Sequence, residues 1–129
     1  MEYYLSKVVR DSSFEEVVER TIEALKQEGF GILSEIDIRA TLKKKLDVNF
    51  PNYKILGACN PPFAYKALKA EDKIGTMLPC NVIVREADGE TIEVAAVDPI
   101  ASMMAVGNES LAGIAEEVRD KLKKAVNSL

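Results

Sequence analysis

Two Cys-Asn steps, Cys59-Asn60 and Cys80-Asn81, are where this sequence concentrates its chemical potential. Each cysteine sits at the end of a predicted strand. If those strands are neighbours, two thiolates can bind a soft ion such as Cu(I), with Met77, Met103 or Met104 as thioether ligands. The same pair can cycle between dithiol and disulfide. The competing reading is that both are small buried hydrophobes with inert thiols, since no neighbouring His or Lys is evident to lower a thiol pKa. Zinc fits poorly, because a cysteine pair without His needs two correctly placed carboxylates.

Asn60, Asn81 and Asp98 form a second constellation. The predicted hairpin puts Asn81, Ala96 and Asp98 on one side near the same end, where amide and carboxylate groups can orient a polar ligand. Helix capping is the competing explanation: Asp98-Pro99 and Asn60-Pro61 each read as a cap residue followed by the favoured first-turn proline. Capping does not explain Asn81, which lies within a strand. Glu35 and Asp37 share one face of another strand. Paired carboxylates suit acid/base work or a hard cation, but an edge strand carries the same pair for solubility. Lys43-Lys44-Lys45 reads as a solvated helix face. There is no P-loop and no dinucleotide fingerprint.

The composition narrows these options. The chain has 129 residues, no His and a formal charge of −4, with 47% hydrophobic and 29% charged residues. Absence of His excludes an imidazole base, His-ligated metals and Ser-His or Cys-His catalysis. The acidic balance argues against nucleic acid or an anionic membrane as partner. The N-terminus lacks a basic region followed by an apolar stretch, and no uncharged run approaches the roughly 20 residues of a membrane helix. The expectation is one cytoplasmic, soluble domain over residues 1–129, with both cysteines as free thiols.

The elements that must position these residues follow from periodicity. Glu2 to Val9 reads as a first strand. Ser13-Phe14-Glu15-Glu16 is a capping box opening a helix to about Glu28, with Phe14, Val17, Val18, Thr21, Ile22 and Leu25 on one face and Gly29 as terminator. From Phe30 to Ile38 the period becomes two, placing Phe30, Ile32, Ser34, Ile36 and Ile38 on one side. A short helix over Arg39–Leu46, a loop, and a strand over Tyr53–Cys59 follow. Pro61-Pro62 opens a helix through Leu68. Asp98-Pro99 starts a short turn or helix through Val106, and a last helix runs from about Asn108, its stripe including Leu111, Ile114, Val118 and Leu122.

Cys80–Ala87 and Thr91–Val97 read as a hairpin around Asp88-Gly89, which suits a two-residue type I′ turn. That turn pairs Val84 with Glu93, Ile83 with Val94 and Val82 with Ala95. Both hairpin faces are then apolar, while two long helices cover only one. The second face calls for a homodimer partner, with a ligand cavity as the alternative. The predicted class is α+β: an antiparallel sheet of about four to five strands in β-α-β-β-β-β-α-like order, packed by two long helices with short extra ones.

Three segments are almost free of charge: Ile55–Tyr65, Ile74–Val84 and Pro99–Asn108. Loops this apolar are either buried connections or the walls of a pocket. They also carry recognisable patterns. Gly57-Ala58-Cys59-Asn60-Pro61, Ala64, Leu68, Ile74-Gly75 and Leu78-Pro79-Cys80-Asn81 closely resemble the domain-of-unknown-function 302 family. Glu35-Ile36-Asp37 with Ala40-Thr41-Leu42, and Asp98-Pro99, resemble it too, so that essentially the whole chain is covered. The resemblance implies a small α/β protein in a TATA-binding-protein-like arrangement, often dimeric, and no established activity.

The sequence supports a binding module for a small ligand or soft metal ion near Cys59, Asn60, Cys80 and Asn81; it names no cofactor. One alternative is a thiol enzyme using Cys59 or Cys80, with Asp98 or Glu35 as proton acceptor. The other is a structural or interaction dimer with no ligand.

Overall fold

The computed structural model describes residues 2–129. The strands are β1 (Tyr4–Val9), β2 (Gly31–Asp37), β3 (Tyr53–Cys59), β4 (Cys80–Ala87) and β5 (Thr91–Val97), and the helices are α1 (Phe14–Gln27), α2 (Ile38–Leu46), α3 (Pro61–Ala70), α4 (Pro99–Met103) and α5 (Ala112–Asn127). The strands form one antiparallel sheet in the order β1-β5-β4-β3-β2. This is the expected α+β fold, an open five-stranded sheet with helices.

Helix α1 begins where Ser13 Oγ accepts the Glu16 backbone N–H at 3.2 Å. It ends at Gly29, whose φ of 87° lets Phe30 N–H turn back to the Leu25 carbonyl at 3.0 Å. Only a residue at ease in the left-handed region makes that reversal cheaply. Val17 and Leu25 of α1 pack with Leu122 and Val126 of α5 onto Leu56, Val82, Val84, Val94 and Ala96 of the sheet. This is the apolar stripe that the helical spacing predicts.

The hairpin exists as predicted, but its register differs by one residue. Ala87 pairs with Thr91, Val84 with Val94, Ile83 with Ala95 and Val82 with Ala96. The connection is a three-residue loop, Asp88-Gly89-Glu90, with Gly89 and Glu90 both at positive φ. The shift gathers Val82, Val84, Ile92, Val94 and Ala96 on the helix-covered face, each of them buried. A two-residue turn would split that set between faces, because a one-residue slip reverses every side chain. Burial of five apolar side chains outweighs the local preference of Asp-Gly for a tighter turn. The other face carries Asn81, Ile83, Arg85, Glu93, Ala95 and Val97, and is more polar than the two-residue register predicts.

Strand β2 brings a second correction. Ile32 pairs with Ala58, but Ser34 pairs with Gly57, so Leu33 is bulged out. The bulge breaks the expected alternation: Ile32 stays on the helix-covered face, whereas Ser34 and Ile36 move to the open one. Gly57 is required here, because an added Cβ would collide with Ser34 Oγ and lie 2.9 Å from Pro79 Cγ. Strand β2 ends at Asp37, and Ile38 opens α2 instead of closing the strand. The last helix starts at Ala112, since Asn108 caps a preceding 3-10 turn by accepting Ser110 N–H at 2.9 Å. Lys43, Lys44 and Lys45 are all exposed, as expected. No helix among the described residues is long and apolar enough to cross a membrane.

Candidate functional site

Strand β3 ends, and β4 begins, at the same edge of the sheet, where Ala58 pairs with Cys80. The chain leaves β3 through Cys59 and Asn60 into α3, and re-enters β4 through Leu78, Pro79 and Cys80. Helices α3 and α5 pack together beside this edge, with the end of α4 nearby. Among the side chains they turn inward, Ala64 and Ala67 on α3 and Ala115 on α5 are small. Small residues on facing elements leave space that larger ones would fill. A cavity of ≈ 320 Å³ results.

Its walls are almost wholly apolar. Phe30, Phe63, Leu78, Met103, Ile114 and Val118 are among the lining residues, and so is the bulged Leu33, which is 68% exposed and stands at the rim. Heteroatoms come from Cys59, Cys80, Asn60 and Met103, and no charged side chain lines the space. All three uncharged segments of the sequence contribute, so they are pocket walls as much as buried connections.

Asn60 is 8% exposed and occupies the cap position of α3, but makes no capping bond there. Its side-chain Nδ2 donates instead to the Glu28 carbonyl at 3.3 Å, tying the end of α1 to the start of α3. The capping expectation is thus corrected for Asn60. For Asp98 it holds: one carboxylate oxygen accepts the Ile100 N–H at 3.0 Å, and the other accepts Arg119 Nε at 3.1 Å.

Cys59 and Cys80 are free thiols on neighbouring strands, and both line the cavity. Burial, and secondarily the charge of Cys59, pushes Cys80 from 9.0 up to about 11. Cys80 is therefore a protonated, weakly nucleophilic thiol at neutral pH. Neither proton acceptor considered for a thiol enzyme is at hand: Asp98 is held by Arg119, Glu35 lies beside Lys54 at 3.6 Å, and neither lines the cavity.

The second constellation does not assemble. Asn81 pairs with Gly57 on the open face and is exposed, whereas Ala96 lies on the helix-covered face with Cys80. The corrected hairpin register is the cause. Glu35 and Asp37 do share a face, but toward the opposite end of the strands, where Asp37 pairs with Lys54. Asp37 caps α2, accepting the Ala40 N–H at 2.9 Å. Of the three methionines considered as thioether ligands, only Met103 reaches the thiol cavity; Met104 is 61% exposed and Met77 does not line it. Among the described residues, no group of three or more Cys, Asp or Glu is placed to hold a metal ion.

Phe30, Leu33, Phe63 and Ala67 line the site without a side-chain heteroatom, so their residue types did not mark them as site residues. The signal for some of them was present in the alanines and aromatics of the uncharged segments.

Comparison with known proteins agrees with this architecture. No match is found among curated proteins. The chain is similar to the uncharacterized conserved protein DUF302 from Bacillus stearothermophilus, whose crystal structure matches with a TM-score of 0.91 at 27% identity, over 98% of each chain. Residues 5–129 match the family described as Domain of unknown function DUF302, and the chain belongs to that family.

Proposed function

We propose that this protein is a binding module whose cavity beside Cys59, Asn60 and Cys80 takes a small, mainly apolar ligand. The observation that carries this reading is the cavity itself: ≈ 320 Å³ lined by apolar side chains, with only an amide and sulfur atoms interspersed. Ligand pockets share this character, a mostly hydrophobic wall with a few polar groups. Among the described residues, no buried side-chain nitrogen or oxygen lacks a partner. The site therefore offers shape and apolar surface rather than a ring of waiting polar groups.

The direct test is titration with the neutral fluorophore N-phenyl-1-naphthylamine. Saturable binding is expected, weakened about tenfold or more by Ala64→Phe, which fills the space, while circular dichroism stays unchanged. No saturable binding to the wild-type chain would overturn the reading.

A soft ion is the second reading, because Cys59, Cys80 and Met103 put three sulfurs around one cavity. Native mass spectrometry of reduced protein separates the two by the mass of any adduct lost on denaturation. The same spectrum reads oligomeric state. We expect a homodimer through the open sheet face, supported by Val8 and Ile36, 46% and 45% exposed, beside Ile55, Ile83 and Val97. A monomer at micromolar concentration would remove that part of the proposal.

A further inference from the structure

The thiol cavity does not stand alone. A second cavity of ≈ 450 Å³ lies against it, and Met103 and Ala115 line both. Met103 and Ala115 are thus part of the partition between them, with Leu111 and Ile114 in the same packed cluster as Met103. Met is unbranched and adapts to irregular space, so it is a weak barrier.

The two cavities differ in charge. The thiol cavity has no charged lining residue. The second is bordered by Glu109 and Glu116, with Asn108 between its walls, and by no basic residue. Asn108 is already committed, its side-chain Nδ2 donating to the Ala70 carbonyl at 3.0 Å and to Glu71 Oε1 at 3.1 Å. Arg119, one turn further along α5, is bound to Asp98 at 3.1 Å. Neither Glu109 nor Glu116 has a salt-bridge partner among the described residues.

We infer that the two cavities form one site for a cationic amphiphile: an apolar tail among the thiols, a positively charged head between Glu109 and Glu116, and Met103 displaced between them. This rests on the proposed binding function and adds the ligand's chemical class. An anionic head of the same size meets two carboxylates and is disfavoured. Because both carboxylates are exposed, each contributes modestly, and the discrimination depends on their acting together.

The test is displacement of N-phenyl-1-naphthylamine by three twelve-carbon amphiphiles below their micelle concentrations: dodecyltrimethylammonium, dodecyl sulfate and dodecyl maltoside. The cation is expected to displace the probe at about fivefold lower concentration than the sulfate in low salt, with the gap closing toward 1 M salt. The double variant Glu109→Gln/Glu116→Gln is expected to abolish the gap while leaving affinity for the neutral probe unchanged. Met103→Phe, a stiffer partition, is expected to weaken all three amphiphiles more than the probe. Equal displacement by cation and sulfate, with the probe still bound, would overturn this inference and leave the binding function standing. Failure of the probe itself to bind would overturn the binding function, and this inference with it.

Discussion

The two ends of strands β2, β3 and β4 carry side chains of different chemistry and put them to opposite uses. At one end Glu35, Asp37 and Lys54 are charged, partly exposed and locally matched: Glu35 lies near Lys54, and Asp37 caps a helix. At the other, Cys59, Asn60 and Cys80 face a cavity with almost no polar surface. A pair of polar residues on a strand is therefore not a site in itself. What separates the two ends is whether the neighbouring elements supply partners or withdraw from contact. The α2 helix starts directly on Asp37, whereas α3 and α5 line the thiol cavity with apolar side chains, three of them alanines.

The contrast is broken most severely by putting a charge where the thiol is. Cys80→Asp buries a carboxylate with no cation nearby and is expected to cost more than about 3 kcal/mol in urea denaturation. A pH series sharpens the same point. Because the folded protein raises Cys80 to about 11 from 9.0, it holds the thiol proton more tightly than the unfolded chain does. The resulting stabilisation is complete below pH 9 and is lost as pH rises through about 11. Relative to Cys80→Ala, the wild-type chain is expected to lose about 1–3 kcal/mol over that interval. A difference between the two that does not change with pH would show that burial leaves the thiol unperturbed.

Smaller effects probe the backbone around each end. Gly57→Ala forces Ser34 or Pro79 aside at the bulge and is expected to cost about 1–3 kcal/mol, with weaker binding of N-phenyl-1-naphthylamine if the rim residue Leu33 shifts. Asp37→Ala removes the α2 cap and is expected to cost about 1 kcal/mol, with probe binding unchanged. Glu35→Gln is smallest, within about 1 kcal/mol, because its contact with Lys54 is long and partly exposed. A carboxylate-end variant that altered probe binding as strongly as Gly57→Ala would erase the distinction between the two ends.

Much of the fold is legible in the sequence. Helix α1 announces itself through Ser13 and Glu16, the spacing of Phe14, Val17, Val18, Thr21 and Leu25, and Gly29. These are signals within a turn or two of chain, so no distant residue is needed to interpret them. Strand β3 has its predicted limits, and the hairpin strands do as well. The three uncharged segments each contribute to the cavity walls, although Tyr65, Met77 and Met104 within them are exposed.

Tertiary packing decided the rest. Asp88-Gly89 alone favours a two-residue turn, and only the helices above the sheet determine that Val82, Val84, Ile92, Val94 and Ala96 share a face. That one-residue difference separates Asn81 from Asp98 and dissolves a site that the local pattern suggested. The bulge at Leu33 likewise depends on its partner strand, where Gly57 admits Ser34 and Pro79 closely. Asn60 has the sequence context of a cap, yet its amide goes to Glu28, a residue 32 positions earlier. Residue type and spacing determine which elements form, since those forces act over a few residues. Where two elements meet, and whether they leave a cavity between them, depends on side chains brought together from across the chain.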